Sequence, residues 1–222
     1  MKIYSGSGII PIIKDKNNNY YLVLFKSTIR RTISDILIED AGGQYEGDNI
    51  ILSAIRELKE ESSSLFDLKR FTNQKQIKNL YNAMKNNKIK IKLFDNKYYA
   101  SYFVYLDGVF DLEKLRKEYI SNLRSFWKFG FSVYTENRDI IFIPINNLKK
   151  INSTYVQDYL GKEYMLFSRT YCILNKLIKL NIKEFIKNML KYSIILNKNI
   201  VNTFNYNYKN ENYHLNNLIV YY

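Results

Sequence analysis

Apolar and polar positions along the chain change period several times, and each change marks an element. Residues Lys2 to Lys14 and Tyr20 to Ser27 are rich in Ile, Val, Leu and Tyr around the polar run Asp15-Lys16-Asn17-Asn18-Asn19, which predicts a β-hairpin. A polar connection from Thr28 to Asp35 follows, and then a short strand near Ile36 to Glu39 that delivers the chain to Gly42. The period then becomes helical. Ile51, Ala54, Ile55 and Leu58 form one apolar stripe, with Asp48 in place as an N-cap.

Between Asp67 and Lys92 the chain is rich in Lys, and Ile77, Leu80, Tyr81 and Met84 have the spacing of a small inserted helix. Lys85 to Lys92 alternates Lys with Ile, as an exposed strand does, and its expected partner is Tyr98 to Leu106 across a turn at Asp95-Asn96. That partner is almost uninterrupted in apolar and aromatic residues, which predicts burial on both faces. Leu112, Leu115, Tyr119 and Leu123 give a helix over Asp111 to Phe126. Trp127 to Val133 reads as a strand or an aromatic clamp, and Arg138 to Ile145 as a late strand running into Asn146-Asn147-Leu148. From Tyr155 onward the pattern is read as helical. Tyr164, Phe167, Tyr171, Leu174, Leu177 and Ile178 make one stripe and Ile182, Phe185, Ile186 and Leu190 a second, separated near Leu180-Asn181-Ile182. The tail from Asn197 is rich in Asn and Tyr, and its His214, the single histidine, reads as a surface residue.

Composition narrows the class. In 222 residues, 46% hydrophobic, there is material for one ordinary core with an appendage. The single cysteine, Cys172, leaves no disulfide framework and no Cys cluster for zinc, as expected of a reducing compartment. No stretch approaches the length of a membrane span and no leader pattern opens the chain, so the expectation is a soluble intracellular, cytoplasmic protein with no membrane partner. The net charge of +13 suits a polyanionic partner such as RNA. Abundant Lys, Asn, Ile and Tyr also follow from AT-rich coding, so the charge is weak support only.

The chemistry concentrates between Ala41 and Leu65. Glu57, Glu60 and Glu61 fall together on a face beside the apolar stripe. Carboxylates at such spacing repel by a few kcal/mol per close pair at a protein-like dielectric of about 20 unless cations neutralise them. An acidic surface helix would also carry such a pair, but would not need the glycine turn at Gly42-Gly43 upstream.

The order of these residues resembles the signature of the Nudix hydrolases, a Gly, five residues, Glu, seven residues, then Arg-Glu-apolar-any-Glu-Glu-any-Gly-apolar. The match falls on Gly42, Asp48, Arg56, Glu57, Leu58, Glu60 and Glu61. Asp48 stands for the first Glu, Ser63 for the closing Gly and Ser64 for the apolar residue, with Leu65 one place late. Gly42 starts the count where the family uses its second glycine, so the loop Gly43 to Gly47 is one residue short. Without a glycine at 63 the helix is expected to run on a turn and end differently.

The resemblance implies an α+β fold, an α/β/α sandwich around a mixed β-sheet, in a domain spanning 1–150 with a basic insertion at 67–92. A helical extension over 151–195 and a tail over 196–222 would follow. It implies a hydrolase of nucleoside-diphosphate-linked substrates (X-O-P-O-P-Y) that uses Mg²⁺ or Mn²⁺, held by Glu57, Glu60, Glu61 and the Gly42 backbone. Arg56 would pair with Asp48 or Glu57. A further acid is expected from Glu136, with Asp139 as its rival, and Arg30, Arg31 and Arg169 are phosphate-binding candidates, Arg169 being placed rather on the solvent side. Capped or diphosphate-bearing RNA ends are the substrate reading. A catalytically inactive RNA- or protein-binding module, and a small-molecule hydrolase of dinucleoside polyphosphates, nucleotide sugars or inositol pyrophosphates, stay open beside it.

Overall fold

The computed structural model describes residues 4–27, 37–45, 47, 49–68, 74–93, 96–130, 137–151 and 154–195. Its frame is a mixed sheet built on β1 (Tyr4–Lys14), β2 (Tyr20–Ser27), β6 (Tyr98–Asp107) and β7 (Asn137–Pro144). β1 runs parallel to β6 along most of its length, while its other edge is shared in succession by β4 (Ala41–Gln44) and β2, both antiparallel. β2 continues antiparallel to β7 and touches β3 (Leu37–Glu39) at Phe25 and Lys26. The expected hairpin is therefore present. Asp15 closes it, its Oδ1 accepting from the Asn17 and Asn19 amides at 2.8 and 2.9 Å.

Helices cover both faces of this sheet because its central strands carry runs of consecutive apolar residues that face both sides. Ile9, Val23, Phe25, Val104 and Phe142 project to one side, where they meet α1 (Ile50–Glu61), α2 (Gln74–Asn86) and α3 (Leu112–Lys128). Ile10, Leu22, Leu24, Phe103 and Ile141 project to the other, against α4 (Ser168–Ile178), α5 (Ile182–Leu190) and the 3-10 helix Ile145–Lys150. Each such side chain contributes about 1.5–3 kcal/mol by leaving water. β5 (Lys88–Lys92) is the exception that the Lys-Ile alternation predicted, burying Ile89 and Ile91 on one face and pairing with β6. Three layers result, as the α/β/α expectation has it.

Two expectations are corrected here. The segment from Tyr155 begins as strands, β8 (Tyr155–Gln157) and β9 (Glu163–Leu166), and helix starts only at Ser168. Val156, Tyr164 and Leu166 are buried at alternate positions of a hairpin, and β9 pairs in parallel with β3. The sheet therefore crosses the boundary expected at residue 150. The short β10 (Ile194–Ile195) adds to β6 beyond α5.

The second correction concerns the ends of α1. Asn49 caps its start, with Oδ1 accepting from the Ile51 amide at 2.9 Å; Asp48 lies outside the described residues. At the other end the helix does not run on. Ser63 and Ser64 take φ of 49° and 59°, and their amides return to the carbonyls of Glu60 and Lys59 at 3.0 and 2.8 Å. This is the pair of bonds a glycine-terminated helix makes, adopted by serines that bear left-handed strain of roughly 1 kcal/mol or more each. Ser64→Gly is therefore expected to raise stability by about 0.5–1 kcal/mol, part of the relief being lost to the freer unfolded chain. A urea titration showing no gain would contradict the strain.

Candidate functional site

The site is assembled where α1 lies across β4 and the end of β3. Its apolar stripe, Ile51, Ala54, Ile55 and Leu58, is buried toward β1, and Ser7 Oγ on β1 donates to the Ile50 carbonyl at 2.9 Å. The acids are thereby turned toward the glycine strand. Glu57 lies against Gly43 so closely that a Cβ there would stand 2.5 Å from its Oε1. A side chain at Gly42 would run into the Tyr99 hydroxyl at 1.9 Å. Gly42, which also meets the backbone of Ser7 and Gly8, is thus required by close approach rather than by turn conformation, whereas a side chain at Gly43 would push the Glu57 carboxylate aside.

Arg56 reaches Glu57 Oε1 at 2.6 Å and Glu60 Oε2 at 2.7 Å, clamping two of the three motif acids. Of the two partners expected for it, Glu57 is present in the structure, and Glu60 is added. Glu61 is buried and its carboxylate accepts from Asn137 Nδ2, at the start of β7. Burial pushes its carboxyl well above the ordinary glutamate range; Glu39 and Glu57 add to this, and the Asn137 bond opposes it.

Behind the glycine strand lies a buried latch. Arg169, on the first turn of α4, donates from Nε to Asp40 Oδ1 at 3.0 Å and from Nη2 to the Gly42 carbonyl at 3.2 Å, with Glu39 Oε2 at 3.4 Å. Its guanidinium stacks 4.6 Å from the centre of the Tyr99 ring. Asp40 is fully buried and also accepts from the Tyr99 hydroxyl at 2.7 Å and from Thr170 Oγ1 at 3.0 Å. Burial opposes the charge on Arg169, but Asp40, Tyr99 and Glu39 outweigh it and hold the guanidinium protonated.

Several predicted residues thus find definite places. Glu57, Glu60 and Glu61 share one neighbourhood, with Arg56 between the first two. Arg169 is not on the solvent side as expected; buried carboxylates draw it inward. The carbonyl of Gly42, a proposed metal contact, is engaged by Arg169. Asp139 is held in a two-bond pair by Arg116 of α3, Nε to Oδ1 being 2.9 Å, which commits it to that cation. Arg30, Arg31, Glu136 and His214 lie outside the described residues. Glu39, Asp40, Tyr99, Asn137 and Thr170 were not anticipated. The adjacent acids just before Ala41-Gly42-Gly43 were a visible signal; Tyr99 read as core and carried none.

The donor set suits a hard divalent cation, since every candidate ligand is a carboxylate or carbonyl oxygen. The upward shift of Glu61 comes first from burial, and the neighbouring Glu39 and Glu57 add to it. Among the described residues, however, no three acids, histidines or cysteines are gathered as a metal-holding group, and Arg56 supplies the neutralising charge for Glu57 and Glu60. Nor, among them, is any helix long and apolar enough to cross a membrane.

No protein-family model and no curated protein matches the chain. Solved structures that share its outline include the following three. An Ap4A hydrolase from C. elegans, in a binary complex, is 12% identical with a TM-score of 0.45, covering 82% of this chain and 98% of its own. A Nudix hydrolase from Alicyclobacillus acidocaldarius is 11% identical with a TM-score of 0.41, covering 87% and 99%. One from M. smegmatis is 6% identical with a TM-score of 0.39, covering 82% and 89%. In outline the chain is similar to Nudix hydrolases. At TM-scores below 0.5 these likenesses decide nothing by themselves, and the resemblance rests on this chain's glycine strand, α1 and its acids.

Proposed function

We propose that the chain is a divalent-cation-dependent hydrolase of phosphoric anhydride bonds in a nucleoside-diphosphate-linked substrate. The observation that carries this reading is the buried Glu61 carboxylate, repelled by Glu39 and Glu57, on a helix whose Glu57 lies against the side-chain-free glycine strand. Glu57, Glu60 and Glu61 would hold Mg²⁺ or Mn²⁺, which supplies charge neutralisation for the diphosphate and a lowered pKa for water. In the reaction, water adds to one phosphorus of the P-O-P bridge, the bridge bond breaks, and the two phosphate products separate with loss of a proton. Asn137 fixes the Glu61 carboxylate by its hydrogen bond. Arg56 spaces Glu57 from Glu60, and Arg169 with Asp40 holds the glycine strand in position. RNA carrying a cap or a 5′ diphosphate is the substrate we favour within this class, in keeping with the basic charge.

A second reading has its own support. Arg56 closes two of the motif acids into ion pairs, which an inactive module for RNA or protein would tolerate. Purified full-length chain incubated with capped RNA, dinucleoside polyphosphates, nucleotide sugars and inositol pyrophosphates distinguishes the two. We expect product only when Mg²⁺ or Mn²⁺ is added; no turnover of any compound with either ion would leave the binding module.

A further inference from the structure

Three basic residues in the C-terminal part of the described chain are already engaged. Arg169 is in the latch, Lys162 sits over the Tyr164 ring at 5.1 Å, and Lys176 donates to the Lys90 carbonyl at 2.8 Å. A different set is placed to guide an RNA strand. Along the solvent side of α3, opposite its buried residues Leu115, Tyr119, Asn122 and Phe126, run Lys117, Ser121, Arg124 and Lys128. With Ile120 and Ser125 they form an open face of this one helix that no acid lines among the described residues. Nor do these three cations have an ion-pair partner there.

We propose that this face of α3 is a track for single-stranded RNA, taking the body of a substrate whose end occupies the acidic site. The inference deepens the function proposed above and rests on it. Its reach is one argument. Lys117 to Lys128 extends over about 16 Å of helix, which exceeds one nucleotide and suits successive phosphates of a strand. Aromatic exposure is the second. Trp127 and Phe129 are 66% and 64% exposed beside Lys128, large rings left in water where bases can stack on them. Continuity with the site is the third. Asn122, on the buried side of the same helix, donates to the Ser63 carbonyl at 3.2 Å, so α3 is fastened directly to the end of the acid-bearing α1. Three cations on a fixed helix release counterions on binding, and the rings add an interaction that a bare polyanion cannot use.

The test uses the full chain, a 5′-labelled single-stranded RNA of mixed sequence and a small dinucleoside polyphosphate. In fluorescence anisotropy, Lys117→Gln, Arg124→Gln and Lys128→Gln together should weaken RNA binding at least tenfold at low salt. The slope of log affinity against log salt should shrink by about 2, at roughly 0.7 for each phosphate that is no longer neutralised. Trp127→Ala alone should weaken binding by about fivefold or more. Turnover of the dinucleotide by the triple variant should match wild type, since none of these residues touches the acidic site. RNA binding and slope unchanged in the triple variant would overturn the track, whatever the enzyme hydrolyses. Should Trp127→Ala have no effect while polyglutamate competes as well as RNA, the face is a general anion surface and the RNA assignment falls. Should wild type bind RNA through this face yet cleave nothing, the track stands and the hydrolase reading fails.

Discussion

Arg169→Ala is expected to cost about 3–5 kcal/mol of unfolding free energy, the usual penalty for removing one partner of a buried ion pair. The reason lies in Asp40, which has no exposure to solvent and would be left with only neutral donors, Tyr99 and Thr170, bonded to its carboxylate. The Gly42 carbonyl would lose its guanidinium bond and the Tyr99 ring its stacked cation as well. For a chain of this size the melting temperature should fall by roughly 10 °C. Arg169→Lys should recover only part, because an ammonium cannot serve Asp40 and Gly42 at once with a planar fork. Urea titrations of the three proteins check this, and a loss below about 1 kcal/mol for the alanine variant would mean that the latch does not hold the glycine strand.

Glu61→Gln is expected to cut hydrolysis about a hundredfold or more, comparable to removing other electrostatic groups from active sites. The substitution keeps volume and an oxygen that can still accept from Asn137 Nδ2, so the fold should persist. In metal-free buffer the variant should melt higher than wild type, since a buried charge facing Glu39 and Glu57 is removed. Added Mg²⁺ should stabilise wild type and leave the variant nearly unmoved, because a ligand that binds only the folded state raises stability in proportion to its affinity. Equal turnover by the two proteins would remove Glu61 from the site. Glu60→Gln should lose activity similarly, and its carboxylate, shared with Arg56, gives it a smaller effect on melting.

The acidic core of the site was legible because it is local. Arg56, Glu57 and Glu60 are close in sequence: Arg56 and Glu60 stand at the i,i+4 spacing of facing helix side chains, and the Arg56–Glu57 pair is one the family signature implied. Ser63 misled for an instructive reason. A missing glycine suggested a different ending for α1, yet the structure ends it with the same two bonds and lets serine carry the strain. Tyr164, Phe167 and Tyr171 misled in another way. Their spacing suits a helix, but Tyr164 and Leu166 also alternate, and pairing of β9 with β3 decided between the two periods. Short apolar runs carry both signals, so only the neighbouring strand can choose.

What the sequence determined by itself was set by properties that act over a few residues: doubly apolar strands that require helices on both faces, the stripe of α1, and three acids on one helix beside an arginine. Tertiary structure alone decided which partners those acids meet. Asn137 reaches Glu61 across 76 positions, and Arg169 reaches Asp40 across 129. Neither pairing leaves a periodic trace. A charged side chain will take the solvent or a buried counter-charge according to whether the fold delivers one, and for Arg169 that depends on where β9 enters the sheet. The same holds for the cations of α3. Their positions on the helix could be counted from the chain, but the exposure of that face, and the attachment of the helix to the end of α1, exist only because Asn122 and Tyr119 pin it against the core.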